Sequence, residues 1–136
     1  MAIIKNCERF RIPLYIVRSK ADTHISNTMG DIQPDSDDED ANDSEKYYKQ
    51  AREKFIDSTR GDFEKNLQAA QLTKRDLFIV SSIVMRALVN NKCNSKISNM
   101  MIDEEKLLEA VLKGTYARLG KDYSTVVKQN MIRVGT

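Results

Sequence analysis

Two short apolar runs, each ending in small polar residues, constrain the fold of this chain more than any other feature. The first covers 12–17 and leads into Ser-Lys-Ala-Asp at 19–22, and the second covers 77–80 and leads into Ser81-Ser82. Both are rich in β-branched and aromatic side chains without regular polar alternation, which is typical of buried parallel strands. The pattern predicts an α/β fold, with parallel strands flanked by helices and a long crossover between the two runs.

The polar residues after the first run resemble a known nucleotide-binding motif. Ser-Lys-x-Asp at 19–22 is similar to the [Asn/Thr]-Lys-x-Asp motif with which P-loop GTPases recognise guanine. With Tyr-Ile-Val-Arg before it at 15–18, the segment resembles most closely the immunity-related (interferon-inducible) GTPases, whose motif begins with Thr. A carboxylate such as that of Asp22 can accept the two neighbouring N–H groups on one edge of guanine, and adenine does not present that edge.

The resemblance implies a guanine-binding role for Ser19, Lys20, Asp22, Ser81 and Ser82. The stem of Lys20 would lie along the base, the hydroxyl of Ser19 would hold the loop, and a backbone N–H of the serine pair would contact the guanine oxygen. Small residues suit this last position because the backbone must approach the base closely. Two plainer interpretations remain open, since 19–22 can be a solvated turn and the serine pair can cap the helix that follows.

The sequence contains no phosphate-binding loop of the form Gly-x-x-x-x-Gly-Lys-[Ser/Thr] and no magnesium-binding Asp-x-x-Gly. The nearest string, at 114–122, has one residue too many between its glycines and has Asp122 where a hydroxyl belongs. The resemblance therefore covers about residues 2–114 and corresponds to the C-terminal half of a G domain, a partial P-loop GTPase fold. It implies a fragment that binds GTP or GDP but does not hydrolyse GTP alone, with Mg²⁺ expected only in a complete domain and no cofactor in this chain.

A second function is a non-enzymatic interaction or regulatory module. Half of a G domain exposes a sheet edge, and such an edge can pair with a complementary GTPase half or with a GTPase homologue. The net charge of +2 gives no case for nucleic acid. Two cysteines without metal-ligand spacing and without a signal peptide predict a cytoplasmic protein with reduced thiols, and the resemblance implies that it can associate with a membrane peripherally. No catalytic set or metal site is predicted, because neither His24 nor Cys7 has a partner that the sequence identifies.

Outside the two runs, the sequence predicts an acidic insertion, several helices and a basic tail. Residues 31–45 hold eight acids and no base, and since no EF-hand pattern is present we expect a disordered insertion at 31–43. The first domain is expected to span 1–114 and the basic tail 115–136. Helices are expected at 2–10, at 42–60 with a break at Gly61 before 62–72, at 83–90, and from Asp103 to a stop at Gly114, with loops at 23–27 and 90–99.

Overall fold

The computed structural model describes residues 2–32 and 41–119, which are mostly helical with one small sheet. The elements follow in the order α1 (Ala2–Arg9), β1 (Ile16–Arg18), α2 (Ala21–Ile32), α3 (Ala41–Ala69), β2 (Leu77–Ile79), α4 (Ser82–Val89), α5 (Ser95–Met100) and α6 (Glu104–Arg118). The chain divides into two compact units, the first ending at Glu104 and the second beginning at Glu105. The boundary expected at 114/115 stays a prediction.

The two strands form a parallel pair, as the sequence predicts. Ile16 lies opposite Leu77, and Arg18 lies opposite Ile79. The pairing continues one residue further, because the N–H of Val80 donates to the carbonyl of Arg18 at 2.9 Å. The helices α2 and α3 form the crossover, so the coarse expectation of an α/β fold with parallel strands is met within the described residues.

The prediction that both strands are buried is wrong for β1. No residue of β1 is buried, and Val17 is 43% exposed, whereas Ile79 of β2 has no exposed surface. Each strand has the other as its single strand neighbour, so the difference comes from helix packing: among the described residues, α3 packs against β2 and no helix packs to a similar extent against β1. The buried apolar side chains are those of Ala21, Ile25, Ala51, Leu67, Ile79, Val80 and Val84.

The loop expected at 23–27 is instead part of α2. Ala21 and Ile25 lie one helical turn apart and are both 1% exposed, on the side of α2 that packs against α3. Burial of this face favours a helix where the local sequence suggests a turn. The insertion expected at 31–43 has its ends in helices, since 31–32 belong to α2 and 41–43 to α3, and residues 33–40 lie outside the described part of the chain.

Two glycines do not end helices as predicted. Helix α3 continues through Gly61 to Ala69, and α6 continues through Gly114 to Arg118. A glycine inside a helix costs only about 1 kcal/mol relative to alanine, which the packing of a long helix can offset. The polar loop expected at 90–99 is also wrong in part, because α5 begins after Asn94, whose side chain accepts the N–H of Ile97 at 2.9 Å.

The second unit contains α6 from Glu105 onward and the residues after it. Glu109 and Lys113 form an ion pair of 2.8 Å one turn apart. Leu119 follows the helix end, and the rest of the tail lies outside the described residues. Across the described ranges, no helix combines the length and the apolar character that crossing a bilayer requires.

Candidate functional site

The two polar turns singled out in the sequence lie side by side at one edge of the sheet. The N–H of Ala21 donates to the carbonyl of Val80 at 3.1 Å, which joins the 19–22 turn to the residue before Ser81. Because the strands are parallel, their carboxyl ends lie at the same end of the sheet, and both turns follow these ends. We call the surface formed by residues 19–22, Ser81 and Ser82 the rim.

Lys20 adopts a left-handed backbone conformation with φ of 61°. Its carbonyl accepts the N–H of His24 at 3.1 Å, so Lys20 occupies the position that begins α2. That position favours Ser, Thr, Asp, Asn or Gly, and the left-handed region disfavours any residue with a Cβ. Lysine is therefore an unfavourable residue at this position both as a helix cap and for its backbone conformation. Its side chain is exposed and does not pack in the core.

The other three non-glycine residues with positive φ in the described chain are explained by helix ends. Arg11, Gln71 and Asn91 each follow a helix, and their N–H groups turn back to its last carbonyls. Gln71, for example, donates to Gln68 at 3.0 Å while Leu72 donates to Leu67 at 3.0 Å, which is the Schellman arrangement. Lys20 ends no helix, so its strain has a different origin and marks the rim as unusual.

Asp22 lies in the first turn of α2 and is half-buried. Its negative charge is favourable there because the first-turn N–H groups carry positive partial charge. Burial is the main cause that raises the pKa of Tyr48 on α3, and Arg52 opposes this while the charges of Asp22 and Glu104 add to it. Asp22 and Glu104 therefore both lie within electrostatic reach of Tyr48.

Ser81 is 2% exposed and has its N–H already engaged. That N–H donates to Oε1 of Glu104 at 2.8 Å, and Oε2 of the same carboxylate accepts the N–H of Ile102 at 2.6 Å. The Oγ of Ser81 is buried and has no partner among the described residues. The N–H of Ser81 is therefore occupied by a carboxylate and is not open to a ligand.

Ser82 is exposed and is the first residue of α4. The N–H groups of a first helical turn have no acceptor within the helix, so that of Ser82 can bind an external group. Ser81 occupies the capping position with extended backbone angles, but its side chain makes no capping hydrogen bond. Of the two interpretations of the serine pair, helix capping fits Ser81, which occupies the capping position of α4. Ligand binding fits Ser82, whose N–H is available as a donor.

The buried acids that support the rim were not recognised in the sequence. Asp103 and Glu104 are 3% and 0% exposed, and Asp103 accepts Arg60 Nη2 at 2.9 and 3.0 Å. Arg52 donates to the carbonyl of Met101 at 2.8 Å, just before these acids. The sequence identified Asp103 only as a helix start, and two adjacent acids after an apolar pair were the available signal for a buried role.

His24 falls within the loop expected at 23–27, but it lies half-buried in α2. One nitrogen of its ring is 3.1 Å from Nη2 of Arg18, and the ring stacks on Phe55 with centroids 5.4 Å apart. The described residues contain no group of three potential metal ligands. Both cysteines, Cys7 and Cys93, are free. Gly114 lies inside α6 rather than between a strand and a helix.

Comparison of the chain with protein-family models, with curated proteins and with solved structures finds no match in any of the three.

Proposed function

We propose that the rim binds the base of a guanine nucleotide, and that the chain corresponds to the C-terminal half of a G domain of the immunity-related GTPase type. The observation that carries this proposal is the hydrogen bond from the N–H of Ala21 to the carbonyl of Val80. This bond joins the Ser-Lys-x-Asp turn and the serine pair at the carboxyl-terminal end of the two parallel strands. The resemblance requires that arrangement, and two unrelated polar turns would not need it.

Each rim residue has a role that matches its chemistry. The carboxylate of Asp22 accepts two N–H groups of guanine, and the N–H of Ser82, in the first turn of α4, donates to the guanine carbonyl oxygen. The exposed Lys20 covers one face of the base with its apolar stem, and the hydroxyl of Ser19 steadies the turn. Ser81 holds the backbone in position through its bond to Glu104 rather than by touching the base.

The affinity should be low and hydrolysis absent for this chain alone. Phosphate contacts supply much of the affinity for a nucleotide, and no phosphate-binding loop is present in the sequence. We therefore expect a Kd of about 1 mM or weaker, which corresponds to about 4 kcal/mol. Phosphoryl transfer depends on positioning and charge stabilisation by groups that the sequence lacks, so no GTP turnover is expected.

The decisive experiment is an NMR titration of the labelled chain with GDP, ADP and xanthosine diphosphate. In the wild-type chain, the backbone amide resonances of Asp22 and Ser82 should show saturable chemical-shift changes with GDP only. Asp22→Asn replaces one carboxylate oxygen, an acceptor, by an NH2 group, a donor. The variant should therefore lose GDP binding and gain binding of the xanthine nucleotide, which carries a carbonyl in place of the amino group of guanine. Asp57→Asn, an exposed change on α3, is the matched control and should behave as wild type. Equal shifts with GDP and ADP, or an unchanged preference in Asp22→Asn, would refute the proposal.

A further inference from the structure

We propose that a cavity at the C-terminal end of α3 binds a free amino acid with an apolar side chain. Its volume is about 210 Å³. The residues that line it are Glu64, Leu67, Gln68, Leu72 and Lys74. None of them belongs to the rim, so the inference does not rest on the proposed guanine site. We call this space the α3 cavity.

One wall of the α3 cavity is a single face of α3, and the other is the chain that follows the helix. Leu67 and Gln68 come three and four residues after Glu64, a spacing that places all of them on one side of a helix. After the helix end, Gln71 takes a left-handed conformation with φ of 53°, and the N–H of Leu72 donates to the carbonyl of Leu67 at 3.0 Å. This Schellman arrangement turns the chain back along α3, and it commonly brings the two corresponding apolar side chains into contact.

The second wall is anchored on both sides of Lys74. Thr73 Oγ1 donates to Oε1 of Glu8 at 3.0 Å, and Arg75 forms an ion pair with the same carboxylate. Neither these bonds nor the Schellman bonds use a side chain that lines the α3 cavity. The cavity is therefore formed before a ligand arrives, and binding need not order its walls.

The floor of the α3 cavity is apolar and its mouth is polar. Leu67 is 3% exposed and Leu72 is half-buried. The exposed lining residues are Glu64, Gln68 and Lys74. An apolar group placed over the two leucines would gain free energy by leaving water. A ligand that fits must therefore combine an apolar part with polar groups at one end.

The mouth of the α3 cavity carries two opposite charges that are not paired. Glu64 and Lys74 both line the cavity, yet neither forms an ion pair or a side-chain hydrogen bond with any other described residue. An ammonium group on a ligand matches Glu64, and a carboxylate matches Lys74, in charge-assisted hydrogen bonds. A free amino acid carries both groups on one carbon atom, and the amide of Gln68 can accept from one or donate to the other.

The volume of the α3 cavity selects a single amino acid over a peptide. At about 30 Å³ for each water molecule, the cavity holds the equivalent of about seven waters, which suits a ligand with about nine non-hydrogen atoms such as leucine. A peptide extends further than this, and its first or last residue offers only one of the two charges. The occupant is therefore a free amino acid of about the size of valine or leucine.

The test is an NMR titration of the full chain with L-leucine as the probe. The backbone amide resonances of Leu72 and Lys74 should show saturable shifts with a Kd of about 1 mM or tighter. Isocaproate lacks only the ammonium group of leucine, and isoamylamine lacks only its carboxylate, so each should bind at least about tenfold more weakly. Glycine keeps both charges without the apolar part, and it should not bind measurably.

Two variants assign each charge of the ligand to one side chain. Glu64→Gln should weaken leucine binding about tenfold and leave isocaproate binding unchanged, because isocaproate has no ammonium group. Lys74→Gln should weaken leucine binding about tenfold and leave isoamylamine binding unchanged, because isoamylamine has no carboxylate. Both positions are exposed, so both variants should fold as the wild-type chain does.

Lys65→Gln is the matched control, since it removes the same charge from an exposed position on α3 outside the cavity. It should bind leucine as the wild-type chain does. No saturable binding of leucine to the wild-type chain, tighter binding of a peptide that begins or ends with leucine, or equal effects of Lys74→Gln and Lys65→Gln would each overturn the proposal.

Discussion

Asp103 engages both backbone groups that Ile79 turns away from β1. Its N–H donates to the carbonyl of Ile79, and its carboxylate accepts the N–H of Ile79 at 3.0 Å while also binding Arg60. Asp103 thus satisfies both outward groups of Ile79, one with its backbone N–H and one with its carboxylate, and through Arg60 it links β2 to α3. The arrangement fixes the backbone two residues before Ser81.

Substitution of Asp103 should therefore be among the most destabilising single changes in the chain. Asp103→Ala leaves the buried N–H of Ile79 without a partner, and we expect a loss of about 3 kcal/mol of unfolding free energy. Arg60→Ala should cost about 1 kcal/mol, since the Arg60 side chain is 48% exposed and its attraction is screened. Urea denaturation measures both. Asp62→Ala, which breaks only the exposed 3.9 Å pair with Lys65, is the control, and an equal loss there would contradict the argument.

The sequence predicts the parallel strands and their polar turns because both signals are local. A short β-branched run and the polar residues after it can be recognised from the local sequence alone. The segment between the two runs is long enough for a crossover that allows parallel pairing. The exposure of β1 could not be predicted, because it depends on which helices pack against the sheet, and α3 packs against β2. The buried role of Glu104 was missed for a related reason, since burial of an acid depends on a backbone partner 23 residues away.

The glycine inside α3 offers a direct test of the helix that the sequence divided in two. A Cβ added at Gly61 would meet nothing within 4 Å, and the backbone there is helical. Gly61→Ala should therefore stabilise the chain by about 1 kcal/mol, because it removes backbone freedom from the unfolded state. Thermal and urea unfolding measure the change. Gly61→Pro is the opposing control and should destabilise by about 3 kcal/mol, whereas a neutral effect of both would mean that the helix is broken at this position.

The attachment of α1 should weaken in acid through Glu8. Its carboxylate accepts Arg75 Nη2 at 2.5 Å and Thr73 Oγ1 at 3.0 Å, and these bonds, with Arg75 first, lower the pKa of Glu8 below its ordinary value of 4.5. A lowered folded-state pKa contributes stability that is present above pH 4.5 and is lost as the pH falls through the folded-state value. Unfolding free energy measured from about pH 7 downward should show this loss in wild type.

The same pH series in Glu8→Gln provides the control for that carboxylate. This variant should be less stable than wild type at neutral pH, and the difference should close as the pH falls below 4.5. In an Arg75→Ala background, Glu8→Gln should have a much smaller effect, since the main partner is already absent. A difference that stays constant with pH would show that the bonds of Glu8 do not stabilise its charged form.

Lys20 provides the sharpest separation of stability from binding. Its φ of 61° is unfavourable for lysine and free for glycine, so Lys20→Gly should raise the unfolding free energy by about 1 kcal/mol. The same change removes the stem proposed to cover guanine and should abolish the GDP shifts. Lys20→Ala keeps the strain, so it should lose binding without gaining stability. Gln71→Gly relieves a similar φ of 53° at a residue outside the rim, and it should gain stability with GDP binding intact. If Lys20→Gly bound GDP as wild type does, the strain at Lys20 would have no connection with the nucleotide.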